Sequence, residues 1–287
     1  MKEIDPQNIT GVVVDQMSST PDGRLREIVN SLVKHLHNFA REVNLTPEEL
    51  SEGLRFLTGV GHTCTDKRQE FILLSEVLGI ETLVYAMADR LGEEHATPTS
   101  ILGPFYMPNI PTFELGASIV GERKPELTFY GQVTDAHRQP IRNASVEVWQ
   151  TDEEGLYDVQ RPEFSELDLR GRFYTNDAGL YYLQSILPLG YSIPMDGPVG
   201  RLVRAQRRHG MRPAHVHYII SAPGFKSVTT AIYLKDDPYL ESDTVFGVTE
   251  SLVGVVAEQD PSSPILGLPA LRFDFQLRSA DLNPRSL

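Results

Sequence analysis

Residues 144–150 have the sequence ASVEVWQ, in which apolar and polar side chains alternate. Neighbouring side chains of an extended strand point to opposite faces of a sheet, so this alternation predicts a strand with one buried face. Turn-forming residues such as Asp177-Ala178-Gly179 separate other segments of this kind. Many short strands without helices between them indicate an antiparallel sandwich or barrel. The further predicted strands lie within residues 127–133, 172–175, 215–221, 228–234 and 271–277.

Upstream of these strands the periodicity is helical. Between Leu25 and Val43 apolar residues recur every three or four positions, as on the buried face of a helix. Thr20-Pro21 predicts the start of that helix, with the threonine as N-cap. Thr46-Pro47-Glu48-Glu49 predicts a capping box at the start of a second helix. Two further helical patterns cover residues 67–78 and 80–91.

The helical pattern and the strand pattern are separated by residues 95–126, where proline or glycine recurs every few positions. Such frequent breakers predict a connecting segment rather than a helix. We therefore predict an α+β protein with an N-terminal helical domain at residues 1–97. An all-β antiparallel sandwich domain at residues 98–287 is predicted to carry the functional site.

The 287 residues include 26 Lys and Arg against 39 Asp and Glu, a formal net charge of −13. Nucleic-acid affinity depends on neutralising phosphates, so this charge disfavours nucleic acids and anionic membrane surfaces as partners. The single cysteine, Cys64, excludes an internal disulfide and a Cys-rich metal site. No segment has the ~18 consecutive apolar residues of a membrane span, and residues 1–6 lack the apolar run of a signal peptide. We therefore expect a cytoplasmic protein.

His215-Val216-His217 is the strongest metal-site candidate. Side chains at i and i+2 of a strand share a face, so both imidazoles can approach one metal ion; two unrelated histidines are the alternative. An Fe(II) facial triad needs a carboxylate and a catalytic zinc needs a third ligand, but no acid follows in residues 218–222. Tyr157 and Tyr191 lie in turns, and a phenolate is a hard anionic ligand that suits Fe(III). Ordinary packing explains either tyrosine taken singly.

Three segments together resemble the intradiol ring-cleaving dioxygenases, which are the catechol and hydroxyquinol 1,2-dioxygenases. They are VEVWQ followed by GLY in residues 146–157, LPLGYSIP at 187–194, and RPAHVH at 212–217. The resemblance implies that Tyr157, Tyr191, His215 and His217 hold Fe(III), with a hydroxide as fifth ligand and no organic cofactor. It also implies that Tyr191 leaves the metal to act as a base, and that Arg212 stabilises negative charge on the ring.

The same resemblance implies a substrate pocket. In it, the Glu76 carboxylate accepts a hydrogen bond from a third ring hydroxyl, which hydroxyquinol has and catechol lacks; a solvated glutamate on a helix face is the alternative. The chain departs from the pattern at Leu102, where some hydroxyquinol enzymes have a bulkier aromatic residue, and at Ala231, where catechol enzymes commonly have glutamine. The implied substrate-binding residues are Leu73, Glu76, Ile101, Leu102, Gly103, Pro104, Phe105, Ile193, Pro194, Arg212 and Val245.

The function that the resemblance implies is intradiol cleavage of hydroxyquinol (1,2,4-trihydroxybenzene) by dioxygen, giving 3-hydroxy-cis,cis-muconate or maleylacetate in aromatic catabolism. Catechol or a chlorocatechol is the alternative substrate. A transthyretin-like β-sandwich that binds a ligand, with an incidental or zinc-bound pair of histidines, is the alternative of another class. The resemblance further implies a homodimer through the N-terminal helices with a bound phospholipid. The apolar helical faces are equally compatible with a self-contained helical core.

Overall fold

The computed structural model describes residues 3–65, 68–90, 96–161 and 167–280. The chain divides into two compact units, Met1–Gly59 and Val60–Leu287. The predicted division between residues 97 and 98 stays a prediction. The α-helices of the described residues are α1 (Ile9–Gln16), α2 (Gly23–Glu42), α3 (Pro47–Thr63), α4 (Glu70–Val77), α5 (Ile80–Arg90) and α6 (Pro198–Ala205).

The helix starts in the first unit follow local capping chemistry. The capping box at α3 is confirmed, since the Thr46 amide donates to Glu49 at 2.9 Å and the Glu49 amide donates to the Thr46 hydroxyl at 3.2 Å. The predicted start of α2 at Thr20-Pro21 was wrong. Asp22 is the N-cap, and its carboxylate accepts from the amides of Arg24 and Leu25 at 2.8 and 3.1 Å. A carboxylate is a preferred cap and also complements the positive end of the helix dipole.

The predicted apolar face of α2 is present but is not buried within the chain. Its large side chains are each about half exposed, from 49% to 54% of their area. Such a continuous apolar stripe on a helix surface requires a partner to cover it. The residues of this stripe are Leu25, Ile28, Leu32, Leu36, Phe39 and Val43.

The strands of the second unit form two five-stranded sheets and one two-stranded sheet. The strands are β1 (Leu127–Thr134), β2 (Ser145–Gln150), β3 (Arg170–Tyr174), β4 (Leu180–Ser185), β5 (Tyr191–Ser192), β6 (Met211–Arg212), β7 (His215–Ser221), β8 (Val228–Leu234), β9 (Val253–Gly254), β10 (Val256–Ala257), β11 (Ala270–Arg272) and β12 (Phe275–Gln276). One large sheet has the order β10-β11-β1-β12 with β4 paired to β1, and the other has the order β3-β2-β7-β8-β9. Strands β5 and β6 form the two-stranded sheet.

The two large sheets face each other across one apolar core, which confirms the α+β class. Phe129 and Leu183 of one sheet lie in the same buried cluster as Val146, Tyr218 and Ile220 of the other. The central pairings are antiparallel as predicted, but β1 pairs with β11 and β12 in parallel, as β8 does with β9. The sheets are therefore mixed, because β9, β11 and β12, which come late in the chain, run in the same direction as the strands they pair with.

Alternation along β7 separates the core from the opposite face of the sheet. Val216, Tyr218 and Ile220 point into the sandwich core. Their neighbours in sequence must then point to the other face, and these include His215 and His217. On β2, Val146 and Val148 face the core in the same way, and Trp149 pairs with His217 across the two strands.

The helical segments predicted at 67–78 and 80–91 correspond to α4 and α5, with Lys67 and Leu91 outside the described residues. Helices α1 and α6 and strand β4 were missed by the sequence analysis. Among the described residues no single helix is long and apolar enough to cross a membrane; α4 and α5, bent by 69°, pass that test only as a pair.

Candidate metal centre

Two phenols and two imidazoles meet on the face of the sheet that looks away from the sandwich core. His215 and His217 come from β7, Tyr191 from β5, and Tyr157 from the turn that follows β2. All four side chains are buried, with no more than 6% of any of them exposed. The sheet and its short connections thus bring together residues that lie up to 60 positions apart in the chain.

The distances between these groups are close to those of direct contact. The Nε2 atoms of His215 and His217 are 3.1 Å apart, and the Tyr157 hydroxyl is 3.4 Å from Nε2 of His215. The Tyr157 and Tyr191 rings meet edge to face with centroids 5.4 Å apart. The structure therefore brings all four sequence-predicted donor residues into one cluster.

Glycine allows the two tyrosine-bearing loops to approach each other. Gly155 has a φ of +74°, and a Cβ at this position would lie 3.0 Å from the Gly190 carbonyl oxygen, next to Tyr191. The Asp152 carboxylate stabilises this turn by accepting from the amides of Glu154 and Leu156 at 2.9 and 3.0 Å. A larger residue at 155 is disfavoured by both its backbone conformation and the lack of space.

The two histidines have different surroundings on the side away from the cluster. Nδ1–H of His215 donates to the Pro213 carbonyl at 2.7 Å, so its Nε2 carries a lone pair. Nδ1 of His217 has no hydrogen-bond partner among the described residues, while its ring stacks on Trp149 with centroids 4.8 Å apart. Burial and the nearby Arg212 guanidinium lower the pKa of His215 to about 3, and burial also lowers that of His217 well below its usual value. Both imidazoles are therefore neutral, which is the form that binds metals.

The two tyrosines are held in an apolar setting. Phe105 stacks on Tyr157 with ring centroids 4.7 Å apart and meets Tyr191 edge to face at 6.2 Å. Burial raises the pKa of Tyr157 well above its usual value and also raises that of Tyr191, although the Arg212 guanidinium opposes both shifts. Without a metal ion both side chains are therefore neutral phenols.

An ion pair connects the Tyr157 turn to the loop that carries Phe105. Asp158, the residue after Tyr157, pairs with Arg170 of β3, and both side chains are almost fully buried. The second end of the Arg170 guanidinium donates to the Phe105 carbonyl at 3.1 Å. Arg170 therefore stabilises the turn and the aromatic residue that packs on Tyr157 at the same time.

Arg212 lies between the cluster and a second set of buried polar groups. Its Nη1 is 3.3 Å from the Tyr191 hydroxyl and 3.4 Å from Nε2 of His215. On its other side it contacts the Tyr233 hydroxyl and the Asp243 carboxylate. Sequence analysis identified Arg212 but missed Tyr233 and Asp243, since only the strand register and the fold of residues 243–247 bring them to it.

A cavity of about 770 Å³ lies beside the cluster, with α4 forming one of its walls. Glu76 reaches it from α4 with only 4% of its area exposed, and its Oε1 has no hydrogen-bond partner among the described residues. Burial raises the pKa of Glu76 to about 7; Arg212 opposes this shift, whereas Glu81 and Asp243 add to it. The solvated alternative for Glu76 was therefore wrong.

Five of the predicted pocket residues line this cavity, namely Leu73, Glu76, Pro104, Phe105 and Pro194. Leu102 packs on the buried cluster of Trp149, Tyr157 and Tyr191. Gly103 lies beside His217, since a Cβ at Gly103 would be 3.6 Å from the imidazole.

Of the remaining four, Arg212 lies at the cluster, and the other three are not part of the cavity wall. Ile193 and Val245 are buried without lining it, and Ile101 lines a separate cavity of about 230 Å³. Arg68, Gln69, Tyr106 and Arg161 line the main cavity and were not predicted. The sequence gives no local signal for them, because they are ordinary surface residue types.

The donor set restricts which metal chemistry is available. No three His, Cys, Asp or Glu side chains within residues 3–65, 68–90, 96–161 and 167–280 are arranged to hold a metal ion. A metal at the cluster must therefore take the tyrosine oxygens as well as the two imidazoles. Anionic oxygen donors favour hard cations of high charge.

Comparison with known proteins covers both parts of the chain. The family model described as Dioxygenase matches residues 101–279, and that described as Catechol dioxygenase N terminus matches residues 22–95. The chain is 42% identical to the 6-chlorohydroxyquinol 1,2-dioxygenase of Cupriavidus pinatubonensis over 96% of this chain and 99% of that protein. It is 40% identical to the hydroxyquinol 1,2-dioxygenase of Rhodococcus opacus over 90% of this chain and 86% of that protein.

A solved structure supports the same assignment. The hydroxyquinol 1,2-dioxygenase from Pseudomonas putida DLL-E4 matches with a TM-score of 0.89 and 37% identity, covering 96% of this chain and 98% of that one. The class of protein is therefore a dioxygenase enzyme. Within that class, the chain belongs to the intradiol ring-cleavage dioxygenase family. The alternative of a ligand-binding β-sandwich without enzymatic activity was wrong.

Proposed function

We propose that this dioxygenase holds Fe(III) with Tyr157, Tyr191, His215 and His217. The observation that supports this proposal is the convergence of two buried phenols and two neutral imidazoles, with His215 and His217 Nε2 atoms 3.1 Å apart. The Nε2 lone pair of His215 faces Nε2 of His217 at this distance, so both imidazoles can offer a nitrogen to the same cation. Two tyrosinates and one hydroxide balance the charge of a trivalent ion.

The residues present fit such an ion because the two phenols and the two imidazoles already lie close to one another. Both imidazoles are already deprotonated, whereas the two phenols must each lose a proton when the metal binds. When bound, Fe(III) supplies Lewis acidity toward the two phenolic oxygens of the substrate and accepts electron density from the aromatic ring. Phe105 and Trp149 cover part of the cluster by packing on the rings of Tyr157 and His217.

Two side chains of the cluster have distinct roles in this proposal. The Tyr191 oxygen would hold the metal and would also serve as a base for one phenolic proton of the substrate. Arg212 donates to the Tyr191 oxygen from 3.3 Å, and its positive charge stabilises negative charge that develops on the ring beside it. Tyr157 has no contact of this kind with a guanidinium and remains a ligand throughout.

We propose that hydroxyquinol is the substrate, cleaved between its two adjacent oxygenated carbons to give 3-hydroxy-cis,cis-muconate, which tautomerises to maleylacetate. Support comes from Glu76, a buried carboxylate on the cavity wall whose Oε1 has no partner among the described residues. A third ring hydroxyl provides the missing donor, and a hydrogen bond to a charged group is worth about 1.5–3 kcal/mol. Catechol lacks this hydroxyl, so it leaves the carboxylate unsatisfied.

Dioxygen uptake with hydroxyquinol, 6-chlorohydroxyquinol, catechol and a chlorocatechol tests the substrate. We expect the highest kcat/KM with a trihydroxybenzene. A higher value for catechol or a chlorocatechol would identify the alternative substrate class and remove the role of Glu76. Tyrosinate bound to Fe(III) gives a broad visible charge-transfer band, so a colourless protein with a full complement of iron would contradict the ligand assignment.

The partner and location are also proposals. A second copy of the chain fits the half-exposed apolar stripe of α2, and a phospholipid between the two copies is the further expectation from the family resemblance. Sedimentation of the purified protein tests the dimer, and lipid extraction followed by mass spectrometry tests the phospholipid. A cytoplasmic location stays a prediction.

A further inference from the structure

The Arg212 guanidinium has buried partners on two sides, and only one of these sides is the metal centre. Nε and Nη2 lie 3.2 and 3.5 Å from the two Asp243 oxygens, and Nη2 donates to the Tyr233 hydroxyl at 3.0 Å. Nη1 is the nitrogen that approaches Tyr191 and His215. The side chains of Arg212 and Asp243 are 4% and 2% exposed, so water does not compete for these contacts.

Asp243 is itself held by the backbone of the turn that follows it. Its two carboxylate oxygens accept from the amides of Val245 at 3.3 Å and Gly247 at 3.0 Å. Phe246 closes the turn by donating from its amide to the Asp243 carbonyl, in a backbone conformation with a φ of +59°. An aromatic residue rarely adopts this conformation, so the turn is maintained by the contacts that it makes.

Gly247 shows how closely these groups are packed. A Cβ at this position would lie 2.6 Å from the Tyr233 hydroxyl, 3.1 Å from Nη2 of Arg212 and 3.2 Å from an Asp243 oxygen. The three polar groups therefore occupy the space that any side chain at 247 needs. Tyr233 has a further neighbour in Ser100, whose hydroxyl is 3.3 Å from its own.

We propose that Asp243 and Tyr233 are a positioning pair that orients Arg212 so that only Nη1 faces the metal centre. Five donors of a guanidinium lie in a rigid plane, so holding Nε and Nη2 determines where Nη1 points. This inference rests on the proposed function of Arg212, because it assigns to Asp243 and Tyr233 an effect that acts through that residue.

A double-mutant cycle tests the pair on the full-length, iron-loaded enzyme. The variants are Asp243→Asn, Tyr233→Phe, Arg212→Gln and each of the first two combined with Arg212→Gln. We expect Asp243→Asn to lower kcat for hydroxyquinol about 10- to 100-fold and Tyr233→Phe to lower it less. In the Arg212→Gln background neither change lowers kcat further, since the residue through which both act is absent.

The resting enzyme gives a second readout that does not depend on turnover. The visible charge-transfer band senses the guanidinium next to Tyr191, so we expect it to shift in Asp243→Asn and Tyr233→Phe at unchanged iron content. Asp274→Asn is the matched control, because Asp274 pairs with Arg272 at 2.9 Å in the other sheet, and it leaves both readouts unchanged. If Asp243→Asn does not fold, Tyr233→Phe in the two backgrounds supports the same test.

Two results would overturn the positioning pair. One is a loss of kcat that multiplies with the loss from Arg212→Gln, which is the behaviour of independent structural effects. The other is a band that stays in place in both single variants. A parent enzyme that consumes no dioxygen with any di- or trihydroxybenzene contradicts the proposed function instead, and the band still tests the orientation of Arg212 in that case.

Discussion

The donor cluster on β5 and β7 and the cavity wall on α4 differ in how their polar atoms are satisfied. In the cluster, Tyr157, Tyr191 and His215 contact one another, Arg212 or the backbone. On the wall, Glu76 is equally buried but its Oε1 has no partner among the described residues. Apart from Nδ1 of His217, the cluster therefore lacks only a cation, whereas the wall presents an acceptor that an incoming molecule can satisfy.

This difference separates the reaction from its selectivity. The sheet register sets the positions of the donors, and changes there are expected to abolish the chemistry. The helix supplies a single polar contact to the part of the substrate that distinguishes one diol from another. Substitutions in the two regions should consequently differ in kind as well as in size.

The largest effect is expected in the cluster, from Tyr157→Phe. The variant lacks an anionic ligand but keeps the aromatic ring that packs on Phe105, so the fold is retained while iron affinity and turnover fall at least about 1,000-fold. Metal analysis, the visible band and dioxygen uptake measure the loss. Tyr130→Phe is the control, because the Tyr130 hydroxyl bonds to Asp260 outside the cluster. Full activity of Tyr157→Phe would exclude this residue from the centre.

The next effect concerns the wall and appears in stability rather than in activity. Burial raises the pKa of Glu76 to about 7 in the folded protein, against about 4.3 in an unfolded chain. The folded state therefore binds a proton that the unfolded state has lost, and folding becomes less favourable as pH rises between these two values. Glu76→Gln should have no benefit from this source near pH 4 and should raise the free energy of unfolding by up to about 4 kcal/mol above pH 7.5.

Urea denaturation of the parent and of Glu76→Gln across this pH range measures the difference. A benefit that is independent of pH would show that Glu76 is not a buried carboxylate with a raised pKa. A benefit that grows as pH falls would have the opposite sign and would be equally contradictory. Glu122→Gln, on an exposed residue in the loop before β1, provides the control for a change of surface charge.

Local patterns predicted those parts of the molecule that local physics determines. The i, i+2 spacing placed His215 and His217 on one face, and the capping box at Thr46 predicted the start of α3. The start of α2 failed because Asp22 competes with Thr20 as a cap only two residues away. Strand β4 was missed although it pairs with β1 over six residues, because its LYYLQS sequence alternates weakly.

Contacts between distant segments could not be predicted in this way. Asp243 lies 31 residues from Arg212, and no pattern in either segment reveals that they pair. The apolar stripe of α2 was correctly identified, but the sequence does not say whether its partner is the same chain or another copy. The four donors were predicted from the family resemblance, since elimination on the residues alone left both tyrosines open.

A smaller effect on the wall is expected in substrate preference. Glu76→Leu removes the acceptor and makes the wall apolar, so kcat/KM for hydroxyquinol should fall about 10- to 100-fold relative to that for catechol. The same Glu122→Gln control should leave the ratio unchanged. Equal losses for the two substrates would mean that Glu76 does not distinguish them, and that the cavity wall on α4 does not determine substrate selectivity.

The smallest effect returns to the cluster, at its one unsatisfied atom. Ala231 is the cross-strand neighbour of His217 on β8, and side chains at such positions have Cβ atoms about 5 Å apart. Ala231→Gln brings an amide within reach of the unpartnered Nδ1, and a partner there makes the imidazole a better ligand. Competition with an iron chelator should show that the affinity of the variant for iron is raised about 10-fold, with some loss of stability from the larger side chain.

Ala231→Leu fills the same space without an acceptor and should not raise the affinity for iron. If both variants bind iron equally, a hydrogen-bond partner for Nδ1 of His217 does not affect the affinity for the metal. The lack of such a partner would then not distinguish His217 from His215 as a ligand.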